Sequence, residues 1–313
     1  MQRKHTDEQF MEAWGRLRSP SAVAAELGVS VRGVYDRRRK LEANTGEKLS
    51  VWSQSSSADY PDRHDLGILN GTIIVFSDAH FWPGLRTTAF RGLLCFINEL
   101  QPKAVINNGD AFDGASVSRH PKINWENTPS IIQELKACEA CLEEIEFAAG
   151  EAKLIWPLGN HDARFESRLS ANAPQYEFVQ GFHLKDHFPS WKPCWSVWNG
   201  NTVIKHRWKG GIHAAHNNTV NSGVNIITGH LHSLKVTPFN DYNGTRFGVD
   251  TGTLADPNGP QFRNYLEESP TNWRSGFVVL TYRDGRLLWP EVVNVFDKDH
   301  VEFRGEIINV SKF

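Results

Sequence analysis

Five short apolar runs in this chain each end in carboxylate, amide or imidazole side chains, and that recurrence constrains the fold more than any other feature. Ile73-Ile74-Val75-Phe76 leads into Ser77-Asp78-Ala79-His80. Val105-Ile106 leads into Asn107-Asn108-Gly109-Asp110-Ala111-Phe112-Asp113. Leu154-Ile155-Trp156-Pro157-Leu158 leads into Gly159-Asn160-His161-Asp162. Val203-Ile204-Lys205 ends in His206, and Ile226-Ile227-Thr228 in Gly229-His230-Leu231-His232. Apolar runs this short, bounded by Gly, Asp and Asn, read as strands at 72–77, 103–107, 153–157 and 224–228. Amphipathic stretches at 86–100 and 130–149 lie between the first three, which suggests crossover units and a largely parallel arrangement. If the backbone stays extended through Asp78-x-His80, both side chains point to one side. The glycines before Asp110, Asn160 and His230 permit a sharp turn at the strand end.

Imidazole and carboxylate together suit a pair of divalent transition metals, manganese, iron or zinc, better than calcium or a mostly hydrated magnesium. A carboxylate can bridge two ions, and asparagine can ligate without adding charge. Further along the chain becomes strand-rich, at 195–199, 202–206, 234–239, 276–282 and 286–294, with Asp284-Gly285 as a hairpin turn.

The series Asp78-x-His80, Gly109-Asp110-x-x-Asp113, Gly159-Asn160-His161-Asp162, His206 and Gly229-His230-x-His232 resembles the calcineurin-like metallophosphoesterase superfamily over roughly residues 70–235. The resemblance implies a four-layer α/β/β/α sandwich with a dinuclear centre at strand ends. It implies that Asp78, His80 and His232 hold one metal and Asn160, His206 and His230 the other, with Asp110 bridging. Two divalent transition-metal ions, manganese foremost with iron or zinc as alternatives, are the expected cofactors. His161 is then the proton donor or charge stabiliser for the leaving oxygen, Asp162 its orienting partner and Asp113 a supporting residue. The expected mechanism is in-line attack on phosphorus by a water activated between the two metals. One element departs from the family pattern. The fourth motif is commonly His-Gly, whereas Arg207 follows His206, and His213 or His216 could supply that ligand instead.

Residues 1–48 are expected to form a small all-α domain. Phe10, Trp14 and Leu17 recur at helical spacing behind Thr6, a candidate cap, and 22–27 forms a second short helix. Gly28-Val29-Ser30 is a turn ending in a capping serine, and a third helix carries Val34, Arg38 and Leu41. The stretch 23–35 resembles a helix-turn-helix, with 31–40 as the helix such motifs place in the major groove. Arg37 departs from that pattern, since an apolar residue is common there. This segment carries ten Lys/Arg against seven Asp/Glu, while the whole chain of 313 residues has a net charge of −2. DNA is the expected partner, with Arg32, Arg37, Arg39 and Lys40 as candidate contacts. Residues 49–66 read as a polar linker and 67–313 as the catalytic domain. A helix-turn-helix often works as a dimer, but no dimer interface can be read from the sequence.

Arg164, Arg119 and His120 follow two of the motifs and could clamp a substrate phosphate. Cys138 and Cys141 lack the two further ligands a zinc site needs and read as structural. No apolar run approaches the roughly 18–20 residues of a membrane span, and the N-terminus turns acidic where a signal peptide would turn apolar. Four cysteines without regular spacing point to a reducing, cytosolic setting, and the domain pairing suits a phage or mobile-element protein. The leading expectation is a DNA nuclease. The alternatives are a phosphomonoesterase acting on protein or nucleotide, and a DNA-binding protein whose metal site is not catalytic.

Overall fold

The computed structural model describes residues 5–17, 20–46, 49, 60–118, 128–266 and 269–313. It divides into two compact units, Met1–Ala58 with Ala173–Phe182, and Asp59–Asn172 with His183–Phe313. Among the described residues no helix is long and apolar enough to cross a membrane.

The first unit contains α1 (Asp7–Leu17), α2 (Pro20–Leu27) and α3 (Val31–Thr45). Thr6 and Gln9 cap α1 reciprocally: the Gln9 amide donates to Thr6 Oγ1 at 3.3 Å and the Thr6 amide to Gln9 Oε1 at 3.0 Å. The Ser30 hydroxyl accepts from Gly33 N at 3.1 Å and starts α3. Helix α3 carries Leu41 into the small core, as its apolar spacing leads one to expect, and Gly46, at φ 73°, ends it. Phe10, Trp14, Val23, Ala24, Leu27, Val34 and Leu41 form that core.

In the second unit the strands are β1 (His64–Asp65), β2 (Gly71–Phe76), β3 (Ala104–Asn107), β4 (Lys153–Pro157), β5 (Lys192–Cys194), β6 (Val197–Asn199), β7 (Thr202–Ile204) and β8 (Asn225–Thr228). They continue with β9 (Lys235–Asp241), β10 (Gly244–Asp250), β11 (Gly276–Arg283), β12 (Arg286–Leu287), β13 (Glu291–Val295), β14 (His300–Phe303) and β15 (Glu306–Asn309). Among the described residues they make two sheets. One runs β15-β14-β13-β11-β2-β3-β4-β5 with β12 beside β11, the other β1-β6-β7-β8-β10-β9. Parallel pairing is confined to β2 through β5 in the first sheet and to β1–β6, β7–β8 and β8–β10 in the second. The rest is antiparallel, so the sheets are mixed rather than largely parallel.

Alternation along the strands builds the layers. Ile74, Phe76, Val105, Phe277 and Val279 turn toward α4 (Thr88–Leu100) and α5 (Ile131–Ala149), meeting Phe90, Leu93, Leu142 and Ile145. Ile73, Val75, Ile106, Val278 and Leu280 turn the other way, onto Ile204, Ile227, Phe247 and Val249 of the second sheet. After α6 (Asp162–Asn172), α7 (Ala214–Ser222) covers the outer face of β8, β9 and β10. The order is α/β/β/α.

Both ends of the expected linker, 49–66, meet structured residues. Leu49 joins the helical core, residues 50–59 lie outside the described residues, and His64–Asp65 is already a strand, paired in parallel with β6. The expected strand at 286–294 splits into β12 and β13, because Pro290 has no amide hydrogen for the ladder.

Candidate metal centre

Strands β2, β3 and β4 run in parallel, as do β7 and β8, so their C-terminal ends each open at one edge of a sheet, where open α/β folds place ligands. The backbone there is not extended. Asp78 (φ 51°), His80 (φ 41°), Asp110 (φ 55°), His230 (φ 72°) and His232 (φ 55°) are all left-handed. This corrects the expectation of an extended Asp78-x-His80. Each such residue costs of order 1 kcal/mol or more and persists only where its surroundings hold it. The holding contacts are visible. Asp78 N donates to Gly109 O at 2.8 Å and His80 N to Asp110 O at 3.0 Å. His230 N donates to Asp78 Oδ2 at 2.8 Å and His161 N to Asp110 Oδ1 at 2.7 Å.

Of the three glycines, Gly109 needs its conformation, at φ 89°. Gly159 and Gly229 need their lack of bulk. A Cβ on Gly159 would overlap the Asp110 carboxylate, and one on Gly229 would press on Ser77 and Asp78.

The side chains converge in overlapping sets: Asp78, His80 and His232; Asp110, His206 and His230; and His80, Asp110 and His161. Within each set the candidate ligand atoms lie within 4.8 Å of one another. Asp110 therefore adjoins both the His80 and the His206 sides. Outward-facing ring nitrogens are tied down, His80 Nδ1 to Asp113 Oδ1 at 2.8 Å and His206 Nδ1 to Asn108 O at 2.8 Å. His206 Nε2 faces Asp110 Oδ2 at 3.0 Å and His232 Nε2 faces Asp78 Oδ1 at 3.2 Å, and the inward atoms His80 Nε2 and Asn160 Oδ1 are buried without a hydrogen-bond partner among the described residues. Buried polar atoms left this way are costly unless a cation takes their lone pairs. The donor set of imidazoles, carboxylates and one amide suits a divalent transition metal, and the residues fit that role. Among the rival histidines, His206 is buried in this cluster, while His213 and His216 are exposed at the start of α7.

Charge follows the same geometry. Burial pushes the Asp78 carboxyl up, but His232 and His206 outweigh it and bring it down to about 2. Burial likewise opposes ionisation of Asp110, and His206 and His161 hold it well below the usual carboxylate range. For His80, burial dominates and lowers the imidazole. For His161, burial works against the charged form, yet Asp110 and Asp113 raise it.

His161 takes its orientation from Asp113, not from Asp162. Its Nδ1 lies 3.0 Å from Asp113 Oδ1 and 2.9 Å from Asp113 O. The Asp162 carboxylate instead accepts from the amides of Asp110, Phe112 and Gly159 and from Trp156 Nε1, at 2.8–3.1 Å. It folds the two ligand loops together. Arg164 donates to Asp113 O at 3.0 Å and stands 3.0 Å from His161 Nε2, beside the centre. Arg119 and His120 lie outside the described residues. Two aromatic side chains that carried no signal in the sequence, Phe262 and Trp273, wall His232, with ring centroids 5.4 and 4.3 Å away.

In the helical unit Arg32, Arg39 and Lys40 are exposed on α3, Arg39 beside Asp36 at 3.2 Å. Arg37 departs from its expected role as a DNA contact. Its guanidinium reaches Asp7 Oδ1 at 2.6 Å and His5 O at 2.8 Å and lies over the Phe10 ring. It thus fills the place of the apolar residue its position leads one to expect.

Residues 71–251 match the family model of the calcineurin-like phosphoesterases. The chain is 26% identical over 246 residues to the Gene 54 protein of Mycobacterium phage L5, covering 71% of this chain and 93% of that protein. It is 26% identical over 252 residues to the Gene 54 protein of Mycobacterium phage D29, with the same coverage. Among solved structures it is similar to wild-type Vps29 complexed with zinc from Entamoeba histolytica, at 14% identity and TM-score 0.39, covering 77% of this chain and 99% of that one. It is also similar to the phosphoesterase YfcE from E. coli, at 14% identity and TM-score 0.33, covering 70% and 97%. With the imidazoles and carboxylates of five strand ends gathered round one buried centre, and the family match spanning all of them, the chain belongs to the calcineurin-like phosphoesterases, hydrolases of phosphoesters that work with divalent metal.

Proposed function

We propose that the chain is a metal-dependent nuclease that hydrolyses phosphodiester bonds in DNA. The observation that carries this reading is the presence, in one chain, of the phosphoesterase centre and a three-helix unit whose α3 exposes Arg32, Arg39 and Lys40. A helix-turn-helix-like unit with cations on α3 matches the phosphate backbone of a duplex. A cleft of about 580 Å³ adjoins the centre. Trp273, which packs on His232, lines it together with Arg274 and Lys298, while its Arg86 and Arg91 are paired with Glu144 and Asp299.

Two divalent ions, manganese in this reading with iron or zinc as alternatives, would be held by Asp78, His80 and His232 and by Asn160, His206 and His230, with Asp110 shared. When bound they supply Lewis acidity toward the phosphoryl oxygens and a water nucleophile near neutral pH. The protein's own groups do the rest. Asp113 fixes Nδ1 of His161 and leaves Nε2 to meet the leaving oxygen. Proton donation or charge stabilisation there is typically worth about 10²–10⁴ in rate. Arg164 can exchange its contact with His161 for a phosphate oxygen of the substrate. Relatives encoded by mycobacteriophages fit a phage protein working in the host cytoplasm.

The test is cleavage of supercoiled plasmid by the purified protein with Mn²⁺, with Asp110→Asn as the matched control. Nicking or linearisation by the parent and not by the variant is expected. Intact plasmid alongside turnover of a simple phosphomonoester would replace the nuclease with a phosphatase.

A further inference from the structure

We propose that Glu134 is a positioning residue for His161 and His80, acting through the turn that carries Asp113. Glu134 sits on α5 at 0% exposure, beside the buried Leu135 and Cys138. A helix position facing the core is ordinarily apolar, and a carboxylate there needs full hydrogen bonding to be tolerated. Its bonding goes to the turn. Oε2 accepts from Gly114 N at 2.6 Å and Oε1 from Ala115 N at 3.1 Å. Gly114 is left-handed at φ 65°, and a Cβ there would crowd Phe112 and Arg164.

Asp113 immediately precedes this anchored pair. Its carboxylate meets the Nδ1 atoms of both His80 and His161, at 2.8 and 3.0 Å. Its carbonyl oxygen meets His161 Nδ1 and Arg164 Nη1. On the other side of Asp113, Phe112 N donates to Asp162 Oδ1 at 3.1 Å. One residue thus orients two imidazoles and an arginine, and its backbone is clamped between two buried carboxylates. Asp162 holds the entry to the turn and Glu134 the exit. The carboxylate of Glu134 supplies two acceptor oxygens to two adjacent amides, which no apolar residue at this position could do.

The inference rests on His161 acting in the hydrolysis proposed above, and the experiment separates the two. In zinc-loaded protein, the downfield ring N–H proton signals of His80 and His161 report their bonds to Asp113. Glu134→Gln keeps the shape but puts an NH₂ where one amide needs an acceptor. It is expected to shift or broaden both signals. It should also lower kcat for bis(p-nitrophenyl) phosphate with Mn²⁺ by about 10–100-fold, the usual cost of disturbing groups behind a metal ligand. KM should stay within about twofold, since substrate binding is untouched. Unchanged ring signals and an unchanged kcat, with only thermal stability reduced, would overturn the assignment. If the variant does not fold, the parent decides by hydrogen exchange. The Gly114 and Ala115 amides should be protected like that of Ile106 on β3, and exchange at open-loop rates would overturn the proposal. Should the parent fail to turn over the ester at all, the hydrolysis reading falls, while the ring signals and amide exchange still judge Glu134.

Discussion

Asp78, Asp110 and His206 are 0%, 1% and 2% exposed, so their charges are settled by one another rather than by water. Burial pulls the His206 imidazole down, but the carboxylates of Asp110 and Asp78 outweigh it and raise it to about 10. In metal-free protein, therefore, a His206 imidazolium balances carboxylates that a cation would otherwise neutralise. A folded-state pKa raised above the unfolded value gives stability that is complete below about 6.5 and vanishes as pH rises toward about 10. Chelator-treated protein should lose melting temperature steadily across that window, and His206→Asn should flatten the decline. Ligation requires the neutral ring, so metal loading at neutral pH should expel protons. Titration calorimetry in buffers of different ionisation heat would register the release, and its absence would remove His206 from the ligand set.

Among the elements, those with a strong local pattern were legible and those without were not. The strands β2, β3, β4 and β8 lie within a residue of their expected bounds because each is a short apolar run, buried toward its C-terminal end and closed by Gly, Asn or Asp. Helix α7, with the sequence Ala-Ala-His-Asn-Asn-Thr-Val-Asn-Ser, has no apolar stripe and exists because it covers the second sheet. Strand β10 pairs along its whole length with β9, and that register fixes it more than its own composition does. Arg37 shows the same logic in the helical unit. Its partly buried bonds to Asp7 and His5 tie α3 to the start of α1. Removing them by Arg37→Ala should cost about 1–2 kcal/mol. In the intact chain, amide exchange within α1 should quicken by roughly 5–30-fold. No change in exchange would mean that the pair is a surface contact of little consequence.

For the whole molecule, the two units divide the work proposed for it. Among the described residues, the two cores of the second unit draw on none before Tyr60. A chain starting at residue 59 should therefore keep its metal and its turnover of bis(p-nitrophenyl) phosphate within about twofold. It should lose most of its affinity for duplex DNA. The salt dependence of binding should flatten by roughly 0.9 for each cation–phosphate contact removed. Fluorescence anisotropy across a salt series measures both. Equal duplex affinity in the shortened and full-length chains would take DNA recognition away from the helices.

The sequence by itself determined which residue types stand at the ends of the apolar strands, because strand patterning and the residues that close a strand are local properties. It also held enough of that pattern, in order, to mark the superfamily. Only the tertiary structure decided which of these side chains meet. It brought His206 rather than His213 or His216 into the cluster, because β7 runs parallel to β8 and opens at the same edge. It gave His161 to Asp113 and turned Asp162 onto the amides of Asp110, Phe112 and Gly159. It showed Glu134, a helix residue with no motif around it, behind the Asp113 turn. These pairings join residues on separate elements through space. Spacing along the chain says little about which of two nearby carboxylates will face a given imidazole; the packing of the strand ends decides it.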